Sequence, residues 1–171
     1  MNVFEAIKRR YSVRRYLDKD VEEDKLMRIL EAARLAPSAR NLQPWKFVIV
    51  RDKERRRELR EAALNQHFVE EAPVVIAAVG LNPERQMRCG VPSYAVDVAI
   101  AVEHMALQAV EEGLGTCWIG AFEQDKVRKI LKIPEKYKVV ALLTLGYPAE
   151  PERPKIRKRL EEIIAWEEFT E

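Results

Sequence analysis

Apolar residues recur along the chain with two periods, and their alternation predicts an order of elements. Val3, Phe4 and Ile7 fall at helical spacing within Asn2–Arg10, which ends in Lys8, Arg9 and Arg10, so a short amphipathic helix followed by a basic loop is expected. Leu26, Ile29, Leu30 and Ala33 form a second stripe. Asp20 with Glu23 three positions later reads as a capping box for it, and Pro37 stops it, leaving residues 37–44 as a loop. Trp45–Val50 and Val74–Val79 are apolar runs of strand length. Between them Asp52–Ala63 reads as a charged surface helix with Leu59, Ala62 and Ala63 inward. Ser93–Glu112 is apolar on nearly every side, and Gly113 suits a left-handed C-cap; such a helix is buried, in a core or at a subunit interface. Thr116–Ile119 and Lys138–Leu145 read as two more strands, separated by a helix through Val127, Ile130 and Leu131 that Pro134 ends.

About four strands interleaved with helices predict an α/β or α+β architecture around one sheet. With 171 residues, no internal repeat and no convincing linker, one domain over 1–171 is expected. The tail from Pro148 begins rich in proline and charge but ends in Leu160, Ile163, Ile164, Trp166 and Phe169. Burying an aromatic side chain is favourable by roughly 2–3 kcal/mol, so this segment is expected to dock, and a neighbouring subunit would satisfy it.

Composition narrows the classes of function. Thirty basic and twenty-eight acidic side chains leave a formal net charge of +2, too balanced to argue for nucleic acid or an anionic membrane as partner. The two cysteines, Cys89 and Cys117, are too few for a disulfide scaffold, and no run approaches the ~20 apolar residues of a membrane span. A cytoplasmic protein is expected. His67, Cys89, His104 and Cys117 do not match a zinc spacing, so no metal is expected. Serine hydrolysis, P-loop chemistry and a Rossmann dinucleotide site all lack their motifs.

Three segments together carry a different chemistry. They are Arg9-Arg10-Tyr11-Ser12-Val13-Arg14-Arg15-Tyr16, then Ala36-Pro37-Ser38-Ala39-Arg40-Asn41-Leu42-Gln43-Pro44-Trp45, and Gly113-Leu114-Gly115-Thr116-Cys117-Trp118-Ile119-Gly120 with Leu145-Gly146-Tyr147-Pro148 after it. In this order the chain resembles the nitroreductase family of flavoenzymes. The resemblance implies an α+β fold with a central, mostly antiparallel mixed sheet flanked by helices, a long buried helix at a dimer interface and an extended C-terminal tail. It also implies FMN as cofactor, NADH or NADPH as electron donor, a nitroaromatic or quinone type of acceptor, ping-pong turnover and a homodimer with shared sites.

The same resemblance distributes roles over residues. Arg10 and Ser12, with Lys155 and Arg157, match the family's phosphate binders, which suits the fork-shaped donors of arginine. Arg14 matches the cation near N1 and O2 of the flavin, and backbone at Gly120 or Ala121 the donor near N5, so no catalytic side chain is obligatory. Tyr11 and Ile119 lie within these motifs. Pro37, Ser38, Ala39 and Asn41 match the loop that reaches the flavin from the partner subunit. Gln66 or Asn65 could bond the pyrimidine edge. Asp97 reads as a structural hydrogen-bonding residue and Cys117 as a small buried one. Ala39 stands where the family often has a second serine, Arg40 replaces a usually small residue, and the chain is short for the family. These departures bear on substrate choice. Dehalogenating or other specialised flavin chemistry, a non-catalytic FMN-binding or sensing module, and an interaction protein are the competing classes.

Overall fold

The computed structural model describes residues 1–152 and 154–170. In chain order its elements are α1 (Val3–Arg9), α2 (Glu23–Arg34), β1 (Trp45–Val50), α3 (Lys53–Ala62), α4 (Phe68–Glu71), β2 (Val74–Gly80), α5 (Ser93–Glu111), β3 (Gly115–Ile119), α6 (Gln124–Leu131) and β4 (Lys138–Gly146). Single 3₁₀ turns occupy Ala39–Asn41 and Leu160–Glu162. The strands form one sheet in the order β1-β2-β4-β3 with every pair antiparallel. A parallel bridge joins Ser12 to Thr116 outside the named strands. The architecture is α+β, as expected.

Both faces of the sheet are covered, which explains the unbroken apolar runs. In β2, Val74, Ile76 and Ala78 pack against α2 and α5, while Val75, Ala77 and Val79 pack against α3, α4 and α6. An antiparallel strand usually alternates apolar and polar because one face is wet; here neither is. In β4, Val139 and Leu142 join one layer while Val140, Leu143 and Leu145 join the other. Positions three apart could not share a face in a regular strand. The register slips at this point, Ala78 opposing Ala141 but Val79 opposing Val139, so the extra residue Val140 restores the match between faces.

Helix ends follow local chemistry, with one correction. Gly113 has φ +74°, and the N–H groups of Gly113 and Leu114 return to the carbonyls of Val110 and Ala109 at 3.1 and 2.8 Å, closing α5 as a Schellman motif. The capping box expected at Asp20 does not form. Asp20 lies two residues before the N-cap, Glu22, whose carboxylate accepts from the Tyr147 hydroxyl at 2.7 Å instead of capping the helix. A capping box forms at α1, where Asn2 accepts from the Glu5 N–H and Glu5 accepts from the Asn2 N–H. The four-residue α4 has no counterpart in the sequence pattern.

Two apolar surfaces lie open on the single chain. On α1 only Ala6 is buried, while Val3 and Phe4 are 72% and 64% exposed. In the tail Ile156, Trp166 and Phe169 are 91%, 81% and 88% exposed, so within its own chain the tail covers nothing with them. Among the described residues no helix is long and apolar enough to cross a membrane.

Gly115 couples the sheet to the segment before α2. A Cβ there would collide with Val13 and come within 2.9 Å of Pro148. Gly115→Ala should therefore destabilise the fold by about 1–3 kcal/mol, the cost of overpacking a filled site, read as a lowered midpoint in urea with unchanged slope.

Candidate active site

The segment Arg10–Tyr16 is laid along the free edge of β3. Val13 N–H donates to the Thr116 carbonyl at 2.9 Å and the Val13 side chain is fully buried, so by strand alternation Ser12 and Arg14 point away from the core. Tyr16 supports the segment from beneath. Its hydroxyl donates to the Val13 carbonyl at 3.1 Å and lies 2.7 Å from Thr144 Oγ1, and burial pushes its ionisation far above the ordinary tyrosine range. Glu150 ties the strap to the tail, its Oε1 accepting from Arg14 N–H at 3.1 Å and its carbonyl from Tyr11 Oη at 2.8 Å.

Opposite ends of the chain then bring cations together. Lys155 Nζ donates to the Ile7 carbonyl at 2.7 Å and to the Lys8 carbonyl, at the C-terminal end of α1. Burial lowers the basicity of its ammonium, and the positive charges of Arg10 and Arg157 lower it further while Glu152 opposes them. The nearest ion-pair partner of Arg10, Glu103, is 3.9 Å away. A cavity of about 200 Å³ opens beside Arg10, Tyr11, Gly113, Thr116 and Glu152. Positive charge concentrated next to a cavity attracts anions.

The β3 edge continues to the next group of residues. From Thr116 to Ala121 is roughly 15 Å at the rise of an extended chain, the length of an elongated ligand. Ile119 is buried, Gly120 and Ala121 are exposed, and a Cβ at Gly120 would meet nothing within 4 Å, so packing within the chain does not require glycine there. Gln66 reaches this point: its Nε2 donates to the Ala63 and Ala121 carbonyls at 2.9 and 3.2 Å, which leaves its Oε1 for another donor. Asn65 is exposed at φ +58°. Cys117 is buried and burial pushes its thiol up, against the pull of Arg14 and Arg10, so it is no thiolate nucleophile.

The third group, Pro37 to Asn41, stands apart. Its loop is strained, with Arg40, Asn41 and Gln43 at φ of +54°, +54° and +50°, and is held by Ser38 Oγ accepting from Gln43 N–H at 2.9 Å. Asp97, 3% exposed, accepts from Ala39 N–H at 2.9 Å and fixes the loop to the N-terminal part of α5. The basic cavity lies at Val110 and Gly113, beyond the other end of that helix, roughly 20 Å along its axis. One chain thus brings Arg10, Ser12, Arg14, Lys155 and Arg157 into one neighbourhood, carries Gln66, Gly120 and Ala121 further along the same edge, and keeps Pro37, Ser38, Ala39 and Asn41 away. Sequence reasoning missed Thr116, Glu150 and Tyr16 as the framework of the strap; the spacing of Tyr16 from Val13 was its only local signal. Among the described residues no group of three or more His, Cys, Asp or Glu could hold a metal ion.

Asp97→Ala should leave the Ala39 amide without its acceptor and cost about 1–3 kcal/mol of stability. Faster hydrogen exchange confined to residues 38–43, with the β2 and β4 amides still protected, is the expected pattern.

Comparisons with known proteins place the chain in a family. Residues 7–82 and 62–147 match the model of the nitroreductase family. A protein named NADH dehydrogenase from Thermus thermophilus is 37% identical, covering 94% of this chain and 93% of its own length. An FMN reductase [NAD(P)H] from Bacillus subtilis is 31% identical over 85% of this chain and 66% of its own. The solved structure of an FMN-dependent nitroreductase from Clostridium difficile R20291 superimposes with a TM-score of 0.86 at 31% identity, covering 97% of this chain and 99% of that one.

Proposed function

The chain belongs to the nitroreductase family, and we propose on that premise that it is an FMN-dependent oxidoreductase carrying electrons from NADH or NADPH to a small organic acceptor of nitroaromatic or quinone type. The observation that carries this reading is the convergence of Arg10, Lys155 and Arg157, of which Arg10 lines the cavity beside Thr116. Three mutually repelling cations, with Lys155 made less basic by burial and then by Arg10 and Arg157, fit a dianionic phosphate that would neutralise them.

Arg10, Lys155 and Arg157 hold the phosphate in this reading, with Ser12 donating its hydroxyl. Tyr11 and Ile119 border the cofactor. Arg14 provides positive charge at the pyrimidine edge of the ring, and the backbone N–H groups at Gly120 and Ala121 donate toward N5. Gln66 Oε1 remains able to accept from the same edge. Bound FMN supplies the two-electron redox chemistry. The reductant and the acceptor use one site in turn, so the protein's task is to position each and to exclude water, and no side-chain acid or base is needed.

The working unit in this reading is a homodimer. Pro37, Ser38, Ala39 and Asn41 are anchored roughly 20 Å along α5 from the basic cavity of their own chain, and a two-fold partner would bring its loop to that cavity instead. The open face of α1 and the exposed tail side chains supply the apolar surface such a dimer would bury.

Purified protein should be yellow and release FMN on denaturation, and it should oxidise NAD(P)H when a neutral quinone is added; a colourless protein, or one releasing FAD, overturns the assignment. Arg10→Ala should weaken FMN binding by about 1.5–3 kcal/mol, measured by flavin fluorescence quenching at fixed salt. Deleting the residues after Ile164 should shift dimer dissociation to higher concentration in sedimentation and lower flavin occupancy in step. A monomer retaining full FMN affinity would overturn the shared site.

A further inference from the structure

The connection between β2 and α5, residues 81–92, packs against the 37–44 loop. Leu81 N–H donates to the Pro44 carbonyl at 2.9 Å. The Arg85 carbonyl accepts from Ser93 N–H at 3.1 Å and from Ser93 Oγ at 3.5 Å, while Ala39 N–H is held by Asp97. Ser93 and Asp97 are one turn apart on α5, roughly 6 Å along its axis, so the backbones at Arg85 and Ala39 are fixed near one another. Arg88 sits in a tight reversal in which Met87 N–H donates to the Val91 carbonyl and Gly90 N–H to the Met87 carbonyl, both at 2.8 Å. Arg40 is presented from the strained turn at φ +54°.

These loops therefore carry three guanidinium groups, Arg40, Arg85 and Arg88, and among the described residues none has an ion pair or a side-chain hydrogen bond. Elsewhere Arg28, Arg34, Arg57, Arg60 and Arg128 each bridge to a carboxylate. The acidic residue on these loops is Glu84, which is exposed, while Asp97 of α5 is buried and bonded to Ala39. Arg40 and Arg88 are exposed and Arg85 is half-buried, so these groups lie at the surface rather than on the floor of a pocket.

We propose that Arg40, Arg85 and Arg88 form an anion-recognising rim that binds the 2′-phosphate of the reductant, so that this protein takes NADPH in preference to NADH. The inference rests on the reading that the 37–41 loop borders the site. The nicotinamide must enter the site to react, whereas the adenosine end of so long a molecule extends outward to the rim; a small acceptor would not span that distance. A phosphate monoester offers oxygens that several guanidinium forks can share, and the ribose hydroxyl that replaces it in NADH offers no charge.

The test compares wild type with the double variant Arg40→Ala/Arg88→Ala, using NADPH and NADH with a neutral quinone, and measures adenosine 2′,5′-bisphosphate and AMP binding by calorimetry. Wild type should favour NADPH at least tenfold in kcat/KM, and the double variant should lose that factor for NADPH while changing less than twofold for NADH. The bisphosphate should bind wild type more tightly than AMP does, and the variant should bind both alike. Arg40→Lys/Arg88→Lys, which keeps the charge, should retain part of the preference. A wild type without preference, a variant that keeps it, or equal loss for both reductants overturns the rim. If the protein holds no flavin, the functional reading fails, while bisphosphate binding still decides whether the rim exists.

Discussion

The two central strands, β2 and β4, are packed on both faces, and the placement of polar chemistry follows from that. β2 and β4 have neighbours on both edges and helices above and below, so a charged group within them would be stranded. Polar function is confined to the outer edge of β3, the ends of α5 and the loops between elements. The strap Arg10–Tyr16, the turn after β3 and the loop before β1 all occupy such places. Val140 belongs to the same constraint: without the extra residue, half of β4 would present the wrong face to each helical layer.

Electrostatics adds a second layer of organisation. Many of the surface ion pairs are local and exposed, such as Arg34 with Glu31 or Lys126 with Glu123, and contribute little to stability. At the strap and the tail the pattern reverses, and Arg10, Lys155 and Arg157 are assembled with only Glu152 opposing them at Lys155. Among the described residues the ion-pair partner within this group is Glu103, 3.9 Å from Arg10, so positive charge there is only weakly balanced.

How much of this could be read in the sequence depended on the range of the interaction responsible. Strands declared themselves because their side chains are apolar on both faces, and α5 because its polar positions are few. The end of α5 was legible at Gly113, where the left-handed turn is a local need. The start of α2 was misread, because Asp20 has the right chemistry for a cap but lies two residues early, and Glu22 is drawn to a tyrosine more than a hundred positions away. α4 is too short to leave a period. Asp97 could be recognised as a hydrogen-bonding residue, but its partner, the Ala39 amide, left no pattern. The cations at the two ends of the chain could be related only through the resemblance, since no local pattern links Lys155 to Arg10.

The bond between Lys155 and the last carbonyls of α1 has a consequence for how the protein is made. The first helix is translated long before the ammonium group that closes its end, since Lys155 lies well beyond the last strand of the sheet. A nascent chain can therefore build the sheet, complete at Gly146, while the last carbonyls of α1 still face water. Formation of the core and closure of the first helix are separate events in synthesis, and the second waits on the first.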